Sequence, residues 1–543
     1  MPVELPLPPE PDASPNAALP GAAPAAADDP PAAPARPSPL VARDGRPAAV
    51  VHLAAELAPY ARTGGLGEAV ASLAGYQAAR GVPTAVVMPL YRQARERIGA
   101  LAGPSGGRLE PVGDAFAVPV GPRREAARLW RLVDAPPGGG ERRRRPRPEH
   151  YFVQNDYYFG RGGIYGEGGD YSDNARRYAL FCAAALRALP RVAASPLVLH
   201  AHDWHTALAP AYLRTALAGD PYYDAVRPVL SVHNAGFQGH FPAAAVPDLG
   251  LPWAAYTHHA FEWYGRLNLL KGGLAYADAA VTVSPTHARE LRTPDGGFGL
   301  HDHFRALGTR FGGVVNGVDQ AVWDPARDPH LPARYSAADL AGKRLCRRAL
   351  QARYGLPPRD DVPLFAMTAR LVWQKGLDLI LADTGLFDLD AQFVFLGAGE
   401  PRYEDALRRA QARAPHRVRV DTAFADPKEH LLIAGADLLL MPCQYEPCGL
   451  TQMRAQRYGT LPVVRAVGGL ADTVEDGATG FVFGAYDARA FAGCVGRALF
   501  TRRDPRRWAA MMRAAMARDF SWERSGRRYL EVYQAVLSRA GAA

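Results

Sequence analysis

Residues 48–55 form a short apolar run with the length of a buried strand. The breaker Thr63-Gly64-Gly65-Leu66-Gly67 follows, then apolar positions at helical spacing over 68–80 and a second buried-strand run over 84–88. This is a β-α-β unit with a glycine-rich first turn. Similar runs recur at 197–201, 229–233 and 280–283, separated by helical stretches such as 205–216. A second series starts near Pro363, with strand runs at 364–368, 393–396, 418–420, 438–441 and 463–465. These alternate with helical patterns after Gln374, Arg402, Asp426, Gly449 and Asp487. Strands that alternate with helices build parallel, doubly wound sheets, so the chain reads as α/β with two Rossmann-like domains.

The stretch from Gly313 to Asp319 ends in turn chemistry and marks a hinge between the two series. The expected boundaries are 1–46 for a leader, 47–315 for an N-terminal domain, 316–517 for a C-terminal domain, and 518–543 for a closing helix that packs back on the N-terminal domain. The leader holds 13 of the 48 prolines amid alanines, too little apolar material to offset its ordering entropy, and reads as a disordered or polyproline-like spacer.

Composition narrows the class. Hydrophobic residues make up 48% and charged residues 22%, enough for packed cores in a chain of 543 residues. The five cysteines, Cys182, Cys346, Cys443, Cys448 and Cys494, are odd in number and scattered, which argues against a disulfide framework and for a reducing compartment. No secretory signal, transit peptide or apolar run of about 20 residues is present, so a cytoplasmic protein with no membrane partner is expected. The net charge of +9 raises the question of nucleic acid, but Arg142, Arg143, Arg144, Arg145 and Arg147 supply five of those charges in one insert without interleaved aromatics. Read as a solvated surface loop, the insert leaves an ordinary +4 and no nucleic-acid partner.

Ligands of open α/β sheets bind beyond the carboxyl ends of the strands. Residues able to do chemistry lie there in this sequence. Arg62, Gly64 and Gly65 follow the first strand, where backbone N–H groups at a helix start suit an anion. His200-Ala201-His202-Asp203-Trp204-His205 and His233-Asn234-Ala235-Gly236 follow later strands and offer polar contacts to a hydroxyl-rich ligand; their spacing fits no zinc set. In the second series Arg370 and Lys375 are fixed cations suited to a diphosphate. Glu446-Pro447-Cys448-Gly449-Leu450-Thr451-Gln452 opens a helix with a carboxylate for sugar hydroxyls and free N–H groups for phosphate.

Taken together, these residues resemble the bacterial glycogen synthase and plant starch synthase family, over nearly everything from Ala48 to Tyr533. Further signatures are Gly163-Ile164-Tyr165-Gly166, Asn268-Leu269-Leu270-Lys271-Gly272-Gly273, Val283-Ser284-Pro285-Thr286 and Asn316-Gly317-Val318-Asp319. The resemblance implies GT-B architecture, two Rossmann-like domains facing across a cleft, and transfer of glucose from ADP-glucose to the non-reducing end of an α-1,4-glucan with retention of configuration. It implies that Arg370 and Lys375 hold the diphosphate, Glu446 the transferred glucose, and Gly449, Leu450 and Thr451 the phosphate through their backbone. His233 would sit beside the anomeric carbon, with Asp203 and Asn234 lining the cleft and Gly64 and Gly65 closing over the diphosphate. Trp204 and Tyr165 are implied as stacking partners for acceptor rings. No metal or other cofactor is implied, because retaining GT-B enzymes let the leaving phosphate take the acceptor proton. The family loop reads K-T-G-G-L, and Arg62 replaces its lysine. The alternatives are a glucosyltransferase using UDP-glucose and an inactive glucan-binding relative. The sequence fixes no oligomeric state.

Overall fold

The computed structural model describes residues 40–101, 107–133, 146–382 and 385–539. In chain order the strands are β1 Ala49–Leu53, β2 Thr84–Pro89, β3 Arg108–Pro111, β4 Phe116–Val120, β5 Arg123–Val133, β6 Glu149–Gln154, β7 Leu197–His202 and β8 Val226–Val232. They continue with β9 His240–Pro242, β10 Glu262–Trp263, β11 Arg266–Asn268, β12 Ala279–Thr282 and β13 Phe311–Gly313. The second lobe holds β14 Leu364–Thr368, β15 Gln392–Leu396, β16 Val418–Asp421, β17 Leu438–Met441, β18 Leu461–Arg465 and β19 Phe481–Phe483.

The first sheet has the order β13-β12-β8-β7-β1-β2-β6-β5-β3, with β4 paired to β5. From β13 to β6 every pair is parallel. Strands β3, β4 and β5 are antiparallel additions beyond β6. The second sheet, β16-β15-β14-β17-β18-β19, is parallel throughout. Parallel strands are covered on both faces by helices, which is why β1, β2, β7, β14, β15 and β17 are almost wholly buried and read as continuous apolar runs. The antiparallel edge lacks that signature: β5 alternates buried Ala127 and Leu129 with exposed arginines, and the sequence reading passed over it. The stretch 205–216, expected as one helix, is a short 3-10 turn, Trp204–Thr206, followed by the helix Leu208–Arg214.

The leader boundary needs correction. Residues 1–39 lie outside the described residues, but residues 40–46 belong to the folded part. Leu40 is buried against Val50 and Val198, and Val41 exchanges hydrogen bonds with the Gln534 side chain on the last helix. Nearly all of the arginine-rich insert, between Val133 and Pro146, also lies outside the described residues.

The helix Trp522–Leu537 is amphipathic, with an N-cap from Ser521. Trp522, Tyr529, Tyr533 and Val536 pack with Val50, Val198, Val229 and Val281 of the first sheet, so the chain's last helix is part of the N-terminal lobe's core. No helix among the described residues is long and apolar enough to cross a membrane. All five cysteines are free and buried.

Candidate active site

The carboxyl ends of β1, β7 and β8 in one lobe and of β14 and β17 in the other supply the candidate residues. After β14, Arg370 is exposed and Lys375 ends a short turn, Trp373–Lys375. Gly376, at φ 72°, turns the chain beside the Pro442 carbonyl, where a β-carbon would collide. This sets Lys375 against the loop that follows β17. Its Nζ donates to Glu446 Oε2 at 2.6 Å, and both side chains are largely buried. Burial alone would lower the Lys375 ammonium, but the Glu446 carboxylate more than offsets it and holds the lysine above its usual value. Glu446 also accepts from Cys443 Sγ at 3.5 Å, and burial with that neighbouring carboxylate pushes the thiol far up, so Cys443 stays protonated. Gly449 has φ 67°, which lets the chain turn into the helix Thr451–Arg457 with Leu450 as its N-cap.

The glycine loop after β1 faces this group directly. A β-carbon added at Gly65 would lie 3.5 Å from the Leu450 side chain of the other lobe. Gly64 is the extended N-cap of the helix Gly65–Ala79. Its backbone is not wholly free, because Thr63 N and Gly64 N donate to Glu56 Oε2 at 2.8 and 3.2 Å. Glu56 also accepts from Thr63 Oγ1 at 2.8 Å and from the Tyr165 hydroxyl at 2.6 Å. A buried carboxylate with four donors fixes the loop's shape and leaves the first-turn N–H groups from Gly65 onward for a ligand. Sequence reasoning missed Glu56, which stands in no motif; its position just after β1 was the available signal.

Arg62, expected at the donor phosphate, is already engaged. It reaches Asp426 of the second lobe with a two-pronged contact of 2.6 and 2.7 Å and also pairs with Glu68. Glu68 in turn pairs with Arg454, which lies 3.4 Å from Glu429. The five residues form a strip of alternating charge across the cleft.

His233 follows β8, half-buried, and its ring reaches back to His202. Its backbone N–H donates to Asp203 Oδ1 at 2.6 Å, with Asn234 N at 3.4 Å from the same oxygen. Asp203 thus holds the His233 loop by its main chain. It does so at φ 57°, uncommon for a residue with a side chain, and burial lifts its carboxyl to about 7. Tyr445 lies beside Asn234 of the other lobe and edge-on to Phe298, with centroids 5.0 Å apart. Tyr445 adjoins the Glu446 motif and was overlooked.

The aromatic expectations shift. Trp204 is only 8% exposed, packed beside Gly239, edge-on to Tyr178 and tilted over Phe241, so it is a wall of the core and presents no open face. Tyr165 is partly exposed; its ring stacks on His205 at 4.6 Å and its hydroxyl serves Glu56. The Ser284-Pro285-Thr286 motif is interlobe structure: Asp472 accepts from Thr286 N at 3.0 Å and Thr286 Oγ1 at 2.6 Å and also bonds Ser284.

Comparison with known proteins shows the family. Residues 49–306 match the starch synthase catalytic domain family, and residues 351–513 match glycosyl transferases group 1. A glycogen synthase of Anaeromyxobacter sp. (strain Fw109-5) is 45% identical over 90% of this chain and 99% of its own length. A glycogen synthase of Myxococcus xanthus is 40% identical over 90% of this chain and 99% of its own. The catalytic domain of starch synthase IV from Arabidopsis thaliana, solved bound to ADP and acarbose, superposes with a TM-score of 0.81 at 30% identity, covering 92% of this chain and all of that one. With two Rossmann-like lobes closed on these motifs and relatives matched along nearly their whole length, the chain belongs to the glycogen synthase and starch synthase family of GT-B glycosyltransferases.

Proposed function

We propose that this chain transfers glucose from ADP-glucose to the non-reducing end of an α-1,4-glucan with retention of configuration, in the cytoplasm and without a metal or other cofactor. The observation that carries the reading is the Lys375–Glu446 pair beside Arg370, facing a glycine loop from the opposite lobe. ADP in the Arabidopsis relative supports the choice of donor.

In this reading the diphosphate lies between Arg370, Lys375 and the backbone of Gly449, Leu450 and Thr451, with Gly64 and Gly65 above it. The cations neutralise the charge that develops as the bond from the anomeric carbon to phosphate breaks, a fixed electrostatic contribution that needs no reorganisation at the moment of reaction. Glu446 accepts from the transferred glucose and, through its contact, fixes where Lys375 points. The acceptor hydroxyl forms its bond to the anomeric carbon on the face the phosphate leaves, and its proton passes to the departing phosphate oxygen. His233 and Asn234 bound the glucose on the N-terminal side.

The test is incubation of the purified protein with glycogen and either ADP-glucose or UDP-glucose, with the new linkage followed by proton NMR. Glucose incorporated from ADP-glucose as an α-linkage is expected. Preference for UDP-glucose would replace the donor, a β-linkage would remove retention, and no transfer from either donor would leave a glucan-binding protein.

A further inference from the structure

Beneath His233 lies an unbroken line of hydrogen bonds whose polarity can be read from one end. His52 on β1 and His200 on β7 are register partners, as are His202 on β7 and Ser231 on β8, and the two-residue period puts all four on one face of the sheet. The helices Gly65–Ala79 and Trp522–Leu537 cover that face with Gln77, Tyr529 and Tyr533, and all seven residues are buried.

Gln77 Nε2 donates to the Tyr533 hydroxyl at 3.1 Å, so its Oε1, which can only accept, faces His52 Nε2 at 2.8 Å. His52 therefore carries its proton on Nε2 and accepts at Nδ1 from His202 Nε2, 3.0 Å away. His202 then accepts at Nδ1 from His233 Nε2, also at 3.0 Å. On the other branch Tyr533 gives its proton to His200 Nδ1 at 2.7 Å, and His200 Nε2 donates to Ser231 Oγ at 2.7 Å.

His52, His200 and His202 could be mistaken for a metal site, since their ligand atoms lie within 4.8 Å of one another. All six of their ring nitrogens are already in hydrogen bonds that alternate donor and acceptor without conflict, which leaves no lone pair for an ion. Burial lowers the affinity of His52 and His233 for a second proton to about 4 and that of His200 and His202 well below the ordinary value, so the rings are neutral, as the alternation requires.

We propose that Gln77, His52 and His202 are positioning residues that lock His233 in one ring orientation and in its Nε2–H tautomer, leaving Nδ1 as an obligatory acceptor for a hydroxyl of the transferred sugar. The sugar contact rests on the proposed function; the tautomer does not. Gln77 sets the sense of the whole line, and its other hand holds Tyr533, so the C-terminal helix reports on the same bonds as the active-site histidine.

The experiment combines nitrogen NMR of the histidine-labelled full-length protein and of His233→Gln and Gln77→Leu with kinetics of two variants at His52. His233, identified by the signals lost in His233→Gln, is expected to bear its proton on Nε2 alone. His52→Phe removes the acceptor for His202; kcat is expected to fall about tenfold, as small misplacements at a reacting centre do, with KM for glycogen unchanged. His52→Asn places an amide oxygen near the former Nδ1 and is expected to recover most of the loss. Gln77→Leu is expected to give His233 a mixture of tautomers. A wild-type His233 protonated on Nδ1, native turnover in a folded His52→Phe, or equal losses in His52→Phe and His52→Asn would overturn the proposal. Should a variant fail to fold, the wild-type spectrum still decides. If the wild type transferred no glucose, the donor reading would fall while the tautomer remained measurable.

Discussion

Lys375 is held at 2.6 Å by Glu446, so the proposed function gives it the part of a fixed cation waiting where phosphate charge would grow. Lys375→Ala is expected to lower kcat by roughly a hundredfold to a thousandfold while glycogen affinity stays within twofold, the signature of a contact that matters chiefly in the transition state. An unchanged kcat in that variant would remove Lys375 from the mechanism. Asp203 carries a different prediction. Burial lifts its carboxyl to about 7 in the folded protein, against an ordinary value of 3.8. The folded state thus binds its proton more tightly than the unfolded chain, and this stabilising contribution is complete below about 3.8 and is lost as pH rises toward about 7. Asp203→Asn keeps an oxygen for His233 N and tolerates the positive φ, but cannot ionise. The variant should therefore gain thermal stability relative to wild type between pH 5 and about 8, read as a growing difference in Tm. A constant difference across that range would show that the Asp203 carboxyl does not titrate there. The positions of Lys375 and Glu446 were legible because strand ends in parallel sheets are where ligands bind. The roles of Glu56, Gln77 and Tyr533 were not, because their partners are distant in sequence and their types are ordinary.

Among elements, the helices Gly65–Ala79 and Asp426–Gly435 face each other across the cleft through the alternating charges of Asp426, Arg62, Glu68, Arg454 and Glu429. Arg62 suits this place better than lysine would, since one guanidinium nitrogen, Nη2, takes both Asp426 oxygens while the other, Nη1, reaches Glu68, and the planar group bridges two carboxylates at once. The Asp426 side chain is 53% exposed, so its pair adds little to global stability, under about 1 kcal/mol, and is screened by salt. Its effect falls on the balance between open and closed lobes. In X-ray scattering, nucleotide-free wild type is expected to expand as salt is added, whereas Asp426→Asn should start more open at low salt and open little further. Equal radii of gyration for both proteins at every salt concentration would dismiss the latch. The parallel strands and the last helix were legible because burial on both faces, or one amphipathic stripe, writes itself into the pattern. The edge strands β3 to β5 were not, because one face meets solvent and arginines interrupt it. The order in which strands pair, and hence which loops meet across the cleft, is set by long-range packing that no local window carries.

At the scale of the molecule, the chain crosses between lobes twice, and the two crossings are bonded to each other. Val314 packs with the first sheet while Val318 belongs to the second lobe's core; on the return, Phe520 lies in the second core and Trp522 in the first. Val318 N donates to the Phe520 carbonyl at 2.7 Å, and Asp472 clasps Thr286 nearby. Any hinge motion must turn about this doubled connection. Gly317 sits in its tightest part, where a β-carbon would come within 2.7 Å of Trp522 Cγ and 2.8 Å of Trp522 N. The obstacle is main chain as well as ring, so Gly317→Ala must displace the start of the last helix, and with it Tyr529 and Tyr533 against the first sheet. The expected cost is about 1–3 kcal/mol, the usual range for overpacking, with a fall in kcat because the closed lobes no longer meet in register. Gly312→Ala is the control, since a β-carbon there meets nothing within 4 Å and its φ is ordinary. Calorimetry and steady-state kinetics on the pair separate the two effects of alanine: loss of glycine's freedom is common to both variants, whereas the collision with Trp522 belongs to Gly317 alone. Indistinguishable Tm and kcat for the two variants would mean that the doubled connection yields freely and does not set the meeting of the lobes.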